Sequence, residues 1–250
     1  MKRTIFLFCC MAAIVSANSQ VKIEVLGGGN LSRLSLKEYT AGYLYYPEDP
    51  NLPPNIRTIK REIKMSPGFF IGAGLEWELN SNLSLSTRMI VENVRLADQL
   101  RDHWYVDSLT GRSTMSLYYL RLPLHLLFYA PVKKARLFLG VGGYAAYGLT
   151  GTDIFRPDDG GRDSIEAVSF RKDGNDHYAF YHANRFDYGL SITAGIRFRS
   201  GLFLEASFVN GLRSITTDRY TAYHSNPANV EYGFKNYRRQ FSLGIGYRLN

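Results

Sequence analysis

Beyond residue 20, apolar and polar residues alternate with period two in segment after segment, the pattern of half-buried β-strands. The clearest run spans 186–199. One face reads Phe186, Tyr188, Leu190, Ile192, Ala194, Ile196 and Phe198; the other reads Asp187, Gly189, Ser191, Thr193, Gly195, Arg197 and Arg199. The C-terminal run repeats it, with Phe241, Leu243, Ile245, Tyr247 and Leu249 against Gln240, Ser242, Gly244, Gly246 and Arg248. Six further segments near 21–26, 68–79, 83–92, 119–128, 136–147 and 202–209 follow the same rule, and no stretch shows a helical period with caps. Asn80-Ser81-Asn82, Pro131 to Lys134 and Ser200-Gly201 are short turns, whereas the connections near 32–66, 97–116, 150–185 and 212–237 are long. Short and long connections alternate strictly. This predicts an all-β fold, an eight-stranded antiparallel up-and-down barrel with one tidy and one elaborate end, the layout of transmembrane barrels.

Alternation does not say which face points inward, since a secreted ligand-binding barrel keeps its apolar face inside. Two features favour polar-in. The polar face is rich in glycine (Gly68, Gly72, Gly74, Gly140, Gly142, Gly189, Gly195, Gly244, Gly246), which weakens a solvated strand but makes room inside a narrow barrel for Arg121, Arg197 and Arg248. It also carries both charge signs, and buried charges are tolerable only when paired. The expected lumen network is Glu76, Glu78, Arg88, Glu92, Arg121, His125, Asp187, Arg197, Glu205 and Arg248, on a polar face that also holds Lys22, Glu24, Arg136, Arg199 and Arg238. The outward solvent is then lipid, with Trp77, Tyr129, Tyr147, Tyr188 and Tyr247 as candidates for interfacial girdles.

Composition agrees. A mean hydropathy of −0.19 with 14% aromatics excludes a bundle of membrane helices and a disordered chain. The formal charge of +8 comes from scattered basic residues, which argues against nucleic acid as a partner. Lys2 and Arg3, an apolar stretch from Thr4 to Val15, and small residues Ser16 to Ser19 make residues 1–19 an expected cleaved export signal, leaving 20–250 as the barrel. Cys9 and Cys10 both lie in that segment, so the remainder holds no thiol for a disulfide or a metal. No cofactor or metal is expected: Asp158 to Asp163 offers oxygen ligands, but not at the spacing of a calcium loop.

The strand Tyr118-Tyr119-Leu120-Arg121-Leu122-Pro123-Leu124 resembles the Y-L-x-[IL]-P-L strand of the PorT-like, "porin family" outer-membrane β-barrel proteins of Gram-negative bacteria. Phe138-Leu139-Gly140-Val141-Gly142-Gly143-Tyr144, Asp187-Tyr188-Gly189-Leu190 and Leu243-Gly244-Ile245-Gly246-Tyr247 are similar to other strands of that family. The resemblance implies an eight-stranded barrel in the outer membrane and carries over no catalytic residue. One departure is the end of the chain, Tyr247-Arg248-Leu249-Asn250, where many such barrels finish on an aromatic.

Eight strands enclose a space that side chains fill. The leading expectation is therefore a non-enzymatic barrel rather than a diffusion pore, acting structurally or through its long exterior loops. Tyr43, Tyr45 and Tyr46 in the first loop, and Tyr178 and Tyr181 in the third, are candidate contacts for an extracellular protein or glycan, or equally packing for the rim. The alternatives are an outer-membrane enzyme, lipid-modifying or proteolytic, drawing on His103, His177, His182 or His224, and a subunit of an envelope or secretion assembly.

Overall fold

A computed structural model describes residues 21–34, 38–45, 55–103, 109–158, 160–168, 170, 183–220 and 232–249. The expected export signal, Tyr46, Tyr178 and Tyr181 lie outside them, as do the side chains of Tyr43, Tyr45 and His103. The strands are Val21–Leu34 (β1), Glu38–Tyr45 (β2), Asn55–Asn80 (β3), Leu83–His103 (β4), Leu109–Val132 (β5), Ala135–Pro157 (β6), Ser164–Ala167 (β7), Phe186–Phe198 (β8), Leu202–Tyr220 (β9) and Tyr232–Leu249 (β10). Every pairing is antiparallel, in the order β1-β10-β9-β8-β6-β5-β4-β3, and β3 pairs back onto β1 from Val21↔Trp77 to Ser32↔Ser66. Eight strands thus close a ring with no free edge. The remaining two, β2 and β7, pair onto the outer reaches of β3 and β6.

The polar face is the inner one. Glu24, Glu76 and Glu92 are fully buried, while Ile71, Leu190 and Leu243 are 64%, 57% and 58% exposed. Water would penalise such an exterior and lipid rewards it, so the ring is a membrane barrel.

The strands run beyond the limits that alternation sets. Paired backbone continues to Thr58↔His103 between β3 and β4, Gly111↔Pro157 between β5 and β6, and Tyr232↔Tyr220 between β10 and β9. The long connections expected near 32–66, 97–116, 150–185 and 212–237 are correspondingly shorter. Outside the bilayer a strand has no need of an apolar outer face, so the ladder persists where the pattern ends. At the opposite end the turns are tight: Gly201, at φ 91°, closes β8 onto β9 with its N–H on the Phe198 carbonyl. Pro123 points into the ring at mid-strand and has no N–H to donate; paired positions of β4 and β5 skip from Thr87↔Leu124 to Ile90↔Arg121, and the Thr87 hydroxyl donates to the Pro123 carbonyl at 3.0 Å.

Candidate functional site

The inward side chains fill the ring in layers. In the half nearest the short turns, the Arg88 guanidinium forks onto both oxygens of Glu205 at 2.7 Å and reaches Glu24 at 3.0 Å. Arg197 bridges the other oxygen of Glu24 to Glu76, with Nη1 2.5 Å from Glu76 Oε2, and the Tyr129 hydroxyl donates to Glu76 Oε1 at 2.8 Å. Below these, Glu78 meets Lys22 at 2.7 Å and Arg248 at 3.2 Å. Four carboxylates (Glu24, Glu76, Glu78, Glu205) therefore face four cations (Lys22, Arg88, Arg197, Arg248). Taking an ion out of water costs several kcal/mol, so this interior holds together because each charge meets its opposite in a fork of charge-assisted hydrogen bonds.

Ile90 stands on β4 between Arg88 and Glu92, and with Leu26, Phe70 and Phe203 it forms an apolar layer between this network and a second one. Nearer the loops, Glu92 accepts from Arg121 at 3.0 Å, Arg238 at 2.5 Å and the Gln240 amide at 3.0 Å. Asp187 accepts the Tyr144 hydroxyl at 2.9 Å and lies 3.5 Å from Arg238. Here two carboxylates balance two arginines. His125 sits on the inner face with its Nε2 2.7 Å from the Ser191 hydroxyl, both buried.

All ten side chains expected in the lumen project inward, in two networks and the His125–Ser191 pair. Glu24, Arg238 and Gln240 are as central; the sequence places them on the polar face but not in the expected network. Arg238 lies at the edge of a segment with no readable alternation, and the signal for Glu24 was only its inward parity with Leu26. Tyr129 corrects the girdle expectation. It is 7% exposed and faces the lumen, because its parity on β5 is that of Arg121 and His125. Trp77, Tyr147, Tyr188 and Tyr247 do face outward.

The inward glycines serve aromatics more than arginines. A Cβ on Gly195 would lie 2.5 Å from the Phe138 ring and one on Gly246 would lie 2.3 Å from the Phe203 ring, while Gly74 does make way for Arg88 at 2.4 Å. The rings so admitted cover the guanidinium of Arg197, which lies 5.3 Å from the Tyr129 and Phe203 centroids and 5.6 Å from Phe138.

At the loop end the filling becomes apolar. Val94, Leu96, Met115, Leu117, Tyr119, Val209 and Ile215 from the strands pack with Val168 and Ala183 from the connection between β6 and β8, and Phe170 packs against them. Backbone bonds fasten that connection inside: Val168 N–H to Gly151 O at 3.0 Å, Asn184 N–H to Ile215 O at 2.6 Å, and the Tyr119 hydroxyl to Asn184 O at 3.2 Å. Val168, Phe170 and Ala183, from the described parts of that connection, thus fill the mouth. Among the described residues no group of His, Cys, Asp and Glu is arranged to hold a metal ion.

Several solved structures are similar in outline. Ail of Yersinia pestis, crystallised with the heparin analogue sucrose octasulfate, is 12% identical, over 92% of this chain and 99% of its own, at a TM-score of 0.35. OprG of Pseudomonas aeruginosa is 11% identical, over 91% and 96%, at 0.43. The outer membrane protease OmpT of Escherichia coli is 11% identical, over 92% and 96%, at 0.36. No curated protein matches the chain. The sequence profile of the outer membrane protein beta-barrel domain family matches residues 15–217, and the chain belongs to that family of outer-membrane barrels.

Proposed function

We propose that the protein is a non-enzymatic, non-conducting barrel that holds paired hairpins above the outer membrane surface as a contact platform for an extracellular protein or glycan. The observation that carries this reading is the filled lumen: two balanced ionic layers, an apolar layer between them, and a mouth closed by Val168, Phe170 and Ala183. Such a lumen passes no solute, so useful contact is left to the hairpins beyond the lipid belt. The extensions of β3–β4, β5–β6 and β9–β10 give that platform continuous backbone pairing, which fixes its shape at low entropic cost on binding. The His125–Ser191 pair has the chemistry of a base beside a hydroxyl, but it is buried between the two networks and out of a substrate's reach. Within its family we place the chain with the PorT-like barrels, on its Tyr119-Leu120-Arg121-Leu122-Pro123-Leu124 strand, which supplies one cation of the loop-side network.

The test is reconstitution of the full chain in planar lipid bilayers. No stepwise conductance is expected at any holding voltage, and steady single-channel openings would overturn the closed-lumen reading.

A further inference from the structure

The outer surface carries a cationic feature that neither the lumen nor the hairpins explain. On β1 the outward face runs Ile23, Val25, Gly27, Gly29, Leu31 and then Arg33; on β10 it runs Tyr247, Ile245, Leu243, Phe241 and then Arg239. Arg33 and Arg239 are directly opposite each other in the ladder. Like charges facing each other across two strands repel. Among the described residues neither has an acidic partner, and the flanking outward positions whose side chains are described, Asn210 and Leu212 on β9 and Met65 and Pro67 on β3, hold no carboxylate. A third cation continues the row. The pairings Ser32↔Ser66 and Met65↔Leu96 bring the neighbourhood of Arg33 level with Arg95 of β4, which is exposed and, among the described residues, bonded only to the Ser116 hydroxyl at 3.3 Å.

The height of this row identifies its partner. Leu31 and Phe241, 42% and 40% exposed, are the outward residues immediately below Arg33 and Arg239, so the arginines stand where the described apolar row gives way to cations. That end carries the long loops, which in such barrels face outward from the cell. Two guanidinia side by side match the oxygens of one phosphate, each able to donate a forked pair of hydrogen bonds. Arg95, two strands away at roughly 5 Å per strand, is placed for a second anionic group. Below the pair, the outward surface is hollow. A Cβ on Gly29 would have one neighbour, at 3.8 Å, and one on Gly27 a single neighbour at 3.4 Å, so neither glycine is there to avoid a clash within the barrel. The hollow leaves room for an acyl chain hanging from the headgroup above.

We propose that Arg33 and Arg239 bind a phosphate of an outer-leaflet glycolipid, with Arg95 extending the site along the rim. The proposal concerns the lipid-facing rim and does not depend on the closed lumen.

The experiment uses the full chain folded in detergent micelles, with native mass spectrometry against bis-phosphorylated lipid A, its dephosphorylated form and inorganic phosphate. The wild type should hold bis-phosphorylated lipid A about tenfold tighter than the dephosphorylated form, and the Arg33→Gln/Arg239→Gln variant should lose about that factor. A Lys133→Gln/Lys134→Gln variant at the short-turn end should bind as the wild type does. Unchanged heat-modifiable migration in gels certifies that each variant has folded. The proposal is overturned by equal binding of the two lipid forms, by undiminished binding in the arginine variant, by inorganic phosphate binding as tightly as the lipid, or by a protein dimer that the arginine variant abolishes.

Discussion

The two ends of the lumen are filled by opposite means. Near the short turns the interior is ionic, with Glu24, Glu76 and Glu205 locked to Arg88 and Arg197, all buried or nearly so. At the loop end it is apolar, built on Leu117, Tyr119, Val209 and Ile215 with a loop folded into it. The difference follows from what each region can use. Deep in the ring the strands approach closely and glycines admit long side chains, so forked charges of fixed geometry can neutralise one another. At the mouth the polypeptide itself must enter, and a loop is held by burying apolar side chains and by satisfying its backbone groups on neighbouring strands. An ionic filling is unforgiving of a single deletion, whereas an apolar one loses stability in proportion to what is removed.

The sharpest break in this comparison is Arg197→Ala. It leaves Glu24 and Glu76 buried with half their partners gone, and removing one member of a buried ionic cluster costs about 3–5 kcal/mol. Denaturant unfolding in micelles should show a loss of that size. The double variant Glu76→Gln/Arg197→Met removes one charge of each sign, leaving Glu24 and Glu205 on Arg88 and Glu78 on Lys22 and Arg248, and should recover most of it. If Arg197→Ala unfolds like the wild type, the ionic half is not held by its pairing.

Leu117→Ala makes the matching cut at the mouth. The side chain is fully buried, and deletion of such a leucine costs about 2–4 kcal/mol through lost contacts and the cavity left behind. No compensating second substitution should be needed for the barrel to fold, because nothing charged is orphaned. A Leu117→Ala barrel that fails to fold while Arg197→Ala folds would erase the distinction between the two fillings.

How much of this was legible in the sequence depends on which solvent each residue meets. Where the outer face is lipid, period-two alternation is enforced, and the inward positions of Arg88, Glu92, Arg121 and Arg197 follow from parity once glycines and paired charges mark the polar face as the inner one. Tyr129 shows the limit: an aromatic near a strand end reads as a girdle residue, and only its parity with Arg121 and His125 reveals that it belongs to the lumen. Above the bilayer the outer face is free to be polar, so β3 to β6 and β9 to β10 run on without a readable pattern, and Arg238, at the edge of that stretch, reads as a residue of the polar face but not as a member of the network. The cap was invisible for another reason. Val168, Phe170 and Ala183 sit in a connection with no period, so neither parity nor spacing marks them as inward.

Gly246→Ala probes the lower half without touching a charge. The added Cβ would meet the Phe203 ring at 2.3 Å and the Val25 carbonyl at 2.6 Å, so the ring that covers Arg197 must shift. Overpacking of this kind costs about 1–3 kcal/mol. Pairing it with Phe203→Leu should return part of the loss, which unfolding measurements on the single and double variants would register. Additive losses would show that glycine and ring are not coupled.

Tyr119→Phe makes the smallest change and isolates the cap. The ring stays in the apolar core, 6.0 Å and edge-on to Phe170, but the hydroxyl no longer donates to the Asn184 carbonyl. A neutral hydrogen bond is worth about 0.5–1.5 kcal/mol net, too little to move global unfolding far. It is enough to raise the population of an opened loop by roughly two- to tenfold when opening is local. Protease added to intact proteoliposomes should therefore cut between β6 and β8 faster in the variant by about that factor, while the denaturant midpoint scarcely moves. The carbonyl of Asn184 is otherwise left to water, so opening and hydration reinforce each other at this point. An unchanged cleavage rate would mean that the cap is held by Val168, Phe170 and Ala183 alone, and the mouth would then be sealed purely by its apolar contacts.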